Sequence, residues 1–331
     1  MMMRGLGEIE LISRYLAPLA THAASLGLKD DAALLRDIPK TGLVITTDAM
    51  VAGVHFFEDD APGDAAYKAL ATNVSDLAAK AAKPLFYTLT LALAKAPDEP
   101  WAQNFAQGLR RAQDSFGIGL IGGDTVTARG AWWMSMTAFG AAPARGLVPR
   151  GGAQPGDRLY VSGTLGDSAL GLKLRLGDNF GGLSLESREY LLKRYLYPEP
   201  RLPLIPALER FASAAMDISD GLALDLARLC AASGASAHVE VSRLPLSPAA
   251  RVLANAAGDI ALLVLSGGDD YEVLAAIPPS QAANFEAAGA EAGIGVTDIG
   301  LVTNGLDAPV FVKEDGAKLH LQSQGFEHFK N

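Results

Sequence analysis

The sequence predicts an α/β protein of the α+β type, built as two domains. Three observations carry this reading. Apolar strand-like runs alternate with helical periodicities in both halves of the chain. The turn-forming segment Arg150-Gly-Gly-Ala-Gln-Pro-Gly-Asp157 divides the halves. At 331 residues, 49% hydrophobic and 20% charged, the chain is long enough to bury a core on each side and too apolar to be disordered. The expected domains are 1–150 and 151–331.

Gly7 to Leu26 reads as an amphipathic helix, because Ile9, Ile12, Leu16, Leu19 and Ala23 recur on one face. A loop with paired acids, Gly27 to Ala32, leads to a strand opened by Leu43, Val44 and Ile45 and running into Thr46. Asp64 to Ala82 is an alanine-rich helix that Asp64 could cap. Its apolar face carries Ala66, Leu70, Val74, Leu77 and Ala81, while Thr72, Asn73, Asp76 and Lys80 fall elsewhere. A strand over Leu85–Leu93, a helix over Asp98–Phe116, a buried strand over Ile118–Ile121 and a strand over Trp132–Gly140 complete the first half. One of Trp132 and Trp133 is expected to be buried, since neighbours on a strand point to opposite faces.

Beyond Asp157 the pattern predicts a strand over Arg158–Ser162, a helix over Asp167–Leu176 and a mobile loop over Gly177–Ser187. Helices follow over Arg188–Tyr195, where Arg188, Glu189, Lys193 and Arg194 read as a solvated face, and over Pro203–Ser213. Asp220–Ala232 is a further helix and Ala237–Val241 a strand. Ile260–Leu265 and Tyr271–Ile277 flank the tight loop Ser266-Gly-Gly-Asp-Asp270. No solenoid repeat or low-complexity tract interrupts the pattern.

A net charge of −9 and a pI near 5.1 argue against non-specific nucleic-acid binding. An acidic enzyme that handles phosphates needs cations to mediate. The one cysteine, Cys230, sits in an apolar run, so no disulfide forms within the chain, as fits a reducing cytoplasm. Met1 to Glu10 has no hydrophobic segment of signal type, and Leu85 to Ala94 is too short to span a bilayer, so no membrane partner is expected. Gly117-Ile-Gly119-Leu-Ile-Gly122 matches a dinucleotide-binding spacing, but these glycines precede and pervade a strand, and no acid follows about 20 positions on. No Gly-Lys pair exists, which excludes a P-loop.

The chemistry is carried by acids at the edges of apolar segments: Asp30-Asp31, Asp48, Asp76, Gly122-Gly123-Asp124-Thr125, Asp217-Ile-Ser219-Asp220-Gly221 and Gly267-Gly268-Asp269-Asp270. Singly, each has a dull explanation: Asp220 as a helix cap, Asp76 paired with Lys80, Asp124 in a turn. Together they are too many for the few bases nearby, and the acids flanked by Ile121, Met216 and Ile218 are expected near the core, where carboxylates without partners are costly. Oxygen-only ligands, with neither cysteine nor clustered histidine, favour Mg²⁺. Glycines beside the acids would let backbone approach a phosphate. After Asp48 the chain runs through Gly53-Val-His55-Phe56, where His55 could reach an anionic substrate or simply pack in the core. His22, His238, His320 and His328 show no metal-binding spacing.

Seven motifs in order give the chain a family resemblance. They are Gly27-Leu-Lys-Asp-Asp-Ala-Ala-Leu-Leu35, Thr46-Thr-Asp48 with Gly53-Val-His-Phe56, Asn73-Val-Ser-Asp-Leu-Ala-Ala-Lys80, Ile121-Gly-Gly-Asp-Thr125, Asp217-Ile-Ser-Asp-Gly-Leu222, Ser266-Gly-Gly-Asp-Asp-Tyr-Glu272 and the closing Gly325-Phe-Glu-His-Phe329. The chain resembles the thiamine-monophosphate kinase family of the aminoimidazole ribonucleotide synthetase superfamily. That resemblance implies ATP-dependent phosphorylation of thiamine monophosphate to thiamine diphosphate. It implies Mg²⁺ on Asp31, Thr46, Thr47, Asp48, Asp76, Asp124, Asp217 and Asp220, and ATP on Gly123, Asp124, Arg150 and Ser219. It places His55, Asp269 and Phe326 against the thiamine substrate, and implies a homodimer whose N-terminal sheets join into a barrel, the C-terminal domain completing the active site. Three positions depart from the pattern: Lys29 stands where a glycine is usual, Asp269 where a longer glutamate is, and Phe326 where Tyr or Trp would stack.

No general base is expected, and no catalytic side chain is nominated. A phosphate monoester has a second pKa near 6 and is already ionised at neutral pH. The obstacle is repulsion between two polyanions, several kcal/mol at an effective dielectric of about 20, which bridging cations remove. Direct in-line transfer follows. The alternatives are another ATP-using member of the superfamily, such as selenophosphate or aminoimidazole ribonucleotide synthetase, and a non-catalytic Mg²⁺-nucleotide sensor.

Overall fold

The computed structural model describes residues 5–257, 260–321 and 325–326, in two compact units. The first unit comprises residues up to Leu77 together with Ala82–Gly146; the second comprises Ala78–Ala81 and the chain from Leu147.

The first unit begins with α1 (Glu8–Leu11), which passes into a π-turn over Ile12–Leu16 and short 3₁₀ turns over Ala17–Leu19 and Ala23–Leu28. The continuous helix expected over Gly7–Leu26 is therefore corrected. Pro18 has no N–H and obstructs the carbonyl four residues back, and Leu26 and Gly27 take left-handed backbone angles. The buried set shifts with the break: Leu11, Leu16 and Leu19 turn inward while Ile9 is 83% exposed.

A four-stranded sheet follows, from β1 (Leu43–Val51), β2 (Lys83–Leu93), β3 (Gly119–Thr127) and β4 (Trp133–Ala141), ordered β1-β4-β2-β3. β4 is antiparallel to both neighbours, and β3 is parallel to β2. α2 (Pro62–Ala79) and α3 (Glu99–Phe116) cover one face. α3 starts on Asp98, whose side chain accepts from the Trp101 N–H, and stops at Gly117 in the left-handed region. Met134, Met136 and Ala138 of β4 and Tyr87, Leu89 and Leu91 of β2 are buried, whereas the alternate residues Ser135, Thr137, Thr88 and Thr90 are half-exposed. The alternation separates a helix-covered face from an open, hydroxyl-rich one. Neither tryptophan of the Trp132-Trp133 pair is buried; both are half-exposed, Trp132 lying just outside β4.

The second unit holds a six-stranded sheet: β5 (Arg158–Ser162), β6 (Ala214–Ile218), β7 (Ser236–Glu240), β8 (Glu272–Ile277), β9 (Val296–Thr303) and β10 (Val310–Val312), ordered β10-β7-β9-β5-β8-β6. Every pair is antiparallel except β10 with β7. The helices are α4 (Asp167–Arg175), α5 (Leu185–Leu196), α6 (Ile205–Phe211), α7 (Leu222–Ser233), α8 (Pro248–Ala257), α9 (Ala261–Ser266) and α10 (Ala282–Glu291). Every residue of β6 and β8 is buried, because the sheet carries a core on both faces. On one side Leu159, Met216, Ile218 and Leu274 meet Leu226 of α7 and Val264 of α9. On the other Tyr160, Ala215 and Val273 meet Leu208 of α6 and Phe285 of α10. Cys230 is buried in the first of these cores. No helix among the described residues is long and apolar enough to cross a membrane.

Candidate active site

The acidic segments come together in three places, two in the first unit and one in the second. A cavity of about 490 Å³ runs along β3, an edge strand, and is lined by Asp30, Asp31, Thr88, Gly122, Gly123 and Asp124, with Ile12 and Leu16 on its apolar wall. The β2–β3 register shifts between Tyr87 and Thr88, and beyond the shift Gly123 pairs with Leu89. A Cβ at Gly123 would stand 2.0 Å from the Leu89 carbonyl oxygen, so only glycine fits. Asp124 lies inside β3, not at its end, and is exposed, which corrects the expectation of an acid near the core. Its Oδ1 accepts from the Thr125 N–H at 2.8 Å. Asp30 and Asp31 are exposed and form no ion pair with any described residue.

On the helix-covered face Thr46 Oγ1 donates to Asp76 Oδ2 at 2.5 Å, and Asp48, two residues along β1, shares that face. Thr47 points the other way. Its hydroxyl donates to the Met136 carbonyl at 3.1 Å and accepts from Thr137 at 3.1 Å. Register across the sheet places Asp124 beside Thr90 and Ser135, on the open face with Thr47. The residues expected to bind metal in this unit are thus divided between two faces, with Thr46, Asp48 and Asp76 on one and Thr47 and Asp124 on the other.

His55 lies in a tight turn after β1, where the Gly53 N–H donates to the Phe56 carbonyl at 2.8 Å and the His55 N–H to Val51 at 3.0 Å. Buried Phe56 anchors the turn against Trp132, ring centroids 4.7 Å apart, and Trp132 meets Trp101 at 5.4 Å. His55 Nδ1 accepts from the Val51 N–H at 3.0 Å, so the neutral ring carries its proton on Nε2. The half-exposed ring is not a packed core histidine. Buried Lys68 reaches the His55 carbonyl at 3.4 Å, a contact that sequence reasoning missed because Lys68 stands in a helical run with no motif around it.

In the second unit Asp217 is buried within β6, and the chain turns through Ser219-Asp220-Gly221 into α7. Asp225, fully buried in the first turn of α7, accepts the N–H groups of Ser219 and Asp220, each at 3.0 Å. Burial pushes the Asp225 carboxyl up to about 6, against the pull of those two donors and of Arg228. Arg228 holds the Asp220 carboxylate and lies 2.9 Å from Asp225. Asp220 is therefore paired, contrary to the expectation of too few bases nearby; the i, i+3 spacing of Asp225 and Arg228 was the sequence signal.

Two other loops dock on this turn. The Asp269 N–H donates to the Ser219 carbonyl at 2.8 Å and the Phe326 N–H to the Asp220 carbonyl at 3.0 Å. Gly268 fits there because a Cβ would lie 2.5 Å from the Ser219 oxygen. Ser219, Asp220, Asp269 and Phe326 thus gather in one place, with Phe326 45% exposed and Asp217 two residues before Ser219, inside β6. Glu327, His328 and Phe329 of the closing motif lie outside the described residues. Arg150 is exposed and makes no side-chain hydrogen bond or ion pair among the described residues.

Beneath the loop is a network the sequence did not reveal. Glu272, fully buried, receives Arg194 at 2.9 Å, Arg201 through two guanidinium nitrogens and Ser162 at 2.6 Å. Arg194, expected on a solvated helix face, is buried. Among the described residues no three His, Cys, Asp or Glu side chains converge tightly enough to cage an ion alone.

Comparison with known proteins identifies relatives of the whole chain. The sequence profiles of the AIR synthase related protein N-terminal and C-terminal domains match residues 29–142 and 154–313. The thiamine-monophosphate kinase of Caulobacter vibrioides is 43% identical over 312 residues, 92% of this chain and 87% of that protein. The crystal structure of thiamine-monophosphate kinase from Stenotrophomonas maltophilia K279a superposes with a TM-score of 0.82 at 37% identity, covering 95% of this chain and 98% of its own. AaThiL complexed with AMPPCP and TMP matches with a TM-score of 0.76 at 29% identity, over 98% of this chain and 97% of its own. With relatives this similar over nearly its whole length, the chain belongs to the thiamine-monophosphate kinase family.

Proposed function

We propose that the chain transfers the γ-phosphoryl group of ATP to thiamine monophosphate, giving thiamine diphosphate and ADP. The observation that carries the reading is the cavity along β3, where Asp30, Asp31 and Asp124 meet the bare backbone of Gly122 and Gly123. Carboxylates without cationic partners beside glycine are suited to a Mg²⁺-nucleotide. Mg²⁺ is typically held by one or two carboxylates plus substrate phosphates, not by an all-protein cage. Acids standing singly or in pairs, all with oxygen donors, fit that habit. Asp31, Thr46, Thr47, Asp48, Asp76, Asp124, Asp217 and Asp220 would hold the ions, and when bound these supply charge neutralisation between donor and acceptor phosphates.

Gly123, Asp124, Arg150 and Ser219 serve ATP, and Arg150, exposed on its turn, is free to reach a phosphate. His55, Asp269 and Phe326 serve the thiamine substrate. The Nε2–H of His55 is a donor for the acceptor's phosphate, and Phe326 offers its exposed ring for stacking. The acceptor phosphate is already ionised, so the protein's work is to position and to neutralise charge, and transfer is direct and in line. The open edge of β1, with Ile45 59% exposed, supports a homodimer. A reducing cytoplasm suits the single buried thiol of Cys230.

Incubation with ATP, Mg²⁺ and thiamine monophosphate, followed by chromatographic detection of thiamine diphosphate, tests the reading. Free thiamine in place of the monophosphate is expected to give no appreciable product, because no base stands ready for its hydroxyl. Comparable rates from the two acceptors would overturn the assignment.

A further inference from the structure

The loop that carries Asp269 is held in a conformation that needs explaining. Asp269 and Tyr271 both take left-handed backbone angles, φ +68° and +50°, which L-residues adopt rarely. Three anchors fix them there. The Asp269 and Tyr271 N–H groups donate at 2.8 Å to the carbonyls of Ser219 and Ile218, and both carboxylate oxygens of buried Asp270 receive the Gly166 N–H at 2.9 and 3.0 Å. With the backbone so constrained, the two flanking side chains meet: the hydroxyl of buried Tyr271 donates to Asp269 Oδ1 at 3.1 Å.

We propose that Tyr271 is a positioning residue for acceptor recognition, its hydroxyl fixing the Asp269 carboxylate in the orientation that engages the thiamine substrate. The inference rests on the proposed role of Asp269. A carboxylate on a short stem has two rotatable bonds, and a donor on one oxygen removes most of that freedom. The phenol ring is packed while its oxygen faces a half-exposed acid, so the hydroxyl serves Asp269 and the ring serves the core. This also gives a physical reason why aspartate suffices where a longer glutamate resembles the family pattern: the backbone and Tyr271 together aim the shorter group.

The test is Tyr271→Phe, which removes one oxygen and keeps the packed ring. The KM for thiamine monophosphate is expected to rise roughly tenfold, with kcat and the KM for ATP within about twofold. Calorimetric titration of thiamine monophosphate into protein saturated with a non-hydrolysable ATP analogue should give the same loss without turnover. Asp269→Asn and the double variant Asp269→Asn/Tyr271→Phe should bind the acceptor equally weakly, since the two groups act as one unit. If the phenylalanine variant folds poorly, Asp269→Asn, which keeps the packed Tyr271 ring and the backbone anchors, is read alone, and an unchanged acceptor KM there overturns the proposal equally. An unchanged acceptor KM in Tyr271→Phe, or losses that add in the double variant, would overturn the proposal. Wild-type protein run alongside separates the two readings: failure to form thiamine diphosphate sinks the kinase assignment and this inference together, whereas normal wild-type turnover with an unaffected Tyr271→Phe sinks the inference alone.

Discussion

The two units use carboxylates in opposite ways. In the first, Asp30, Asp31 and Asp124 are exposed, and their nearest companions are a cavity and peptide groups. In the second, Asp167, Asp225, Asp270 and Glu272 are buried and tied to hydroxyls, N–H groups and guanidinium groups. Exposed acids cost little to leave without a protein partner and remain available to an ion or ligand. Buried acids cannot be left so, and once satisfied they fix backbone in place. A sequence rich in acids therefore contains two populations, one left open to ligands and one committed to holding the fold. Mutations should tell the populations apart.

The sharpest contrast comes from Asp124→Asn. Because Asp124 is exposed on an edge strand, the thermal midpoint should move by no more than about 2 °C. Because it is a proposed metal ligand, kcat/KM should fall on the order of 10³-fold. Near-normal turnover by a folded variant would remove Asp124 from the site. Glu272→Gln should behave in the reverse manner. It leaves Arg194 and Arg201, with side chains 7% and 13% exposed, facing a neutral amide. Breaking a buried pair of this kind costs roughly 3–5 kcal/mol, read as a lower midpoint in denaturant, while the fraction that stays folded should keep its acceptor and nucleotide KM values. A stable Glu272→Gln protein would mean that the guanidinium groups find other partners.

These populations were only half legible in the sequence. The strands over Leu85–Leu93 and Arg158–Ser162 and the helix after Asp98 followed from periodicity, caps and turn residues, all of which are local. Pro18 marked the break in the first helix, yet the apolar spacing on both sides of it looked continuous, so the π-turn and 3₁₀ turns went unread. β6, α8, α10, β9 and β10 were not anticipated, since β6 is a short run with an aspartate inside it and α10 is mostly alanine with little face contrast. The candidate site residues stood out because their motifs occur in order. Their faces did not, because the division of Thr46 from Thr47, and the placing of Asp124 with the latter, depends on strand register. Burial of Arg194 was invisible for a similar reason: its partner Glu272 lies far along the chain on β8.

His55 gives a smaller and more selective effect. Asparagine can still offer an oxygen to the Val51 N–H that His55 Nδ1 now accepts, so the turn should persist. What is lost is the donor at Nε2. His55→Asn is expected to raise the KM for thiamine monophosphate about tenfold and to leave that for ATP unchanged. His55→Ala should lose the turn bond as well and melt lower. If His55→Asn melts several degrees lower with its acceptor KM intact, the imidazole is a structural group and the acceptor is read elsewhere.

The smallest effect tests the buried population through pH. Burial holds the Asp270 carboxyl well above the usual carboxylate range, reinforced by the nearby acids Asp167 and Glu272 and opposed by the Gly166 N–H and by Arg194. The native state therefore binds this proton more tightly than the unfolded chain, whose ordinary value is 3.8. Between that value and the raised native one, the folded state carries more protons, so stability falls as pH rises. The contribution is fully present below about pH 4 and is lost as pH climbs toward the native pKa. Asp270→Asn cannot ionise and lacks that slope. Thermal midpoints of both proteins, taken from about pH 4 to pH 8, should converge upward for the variant, its deficit shrinking by about 2–4 °C as pH rises. All other titrating groups are common to the two proteins and cancel in the difference. A constant offset across the range would mean that Asp270 is already ionised in the native state, with the Gly166 N–H and Arg194 outweighing its burial.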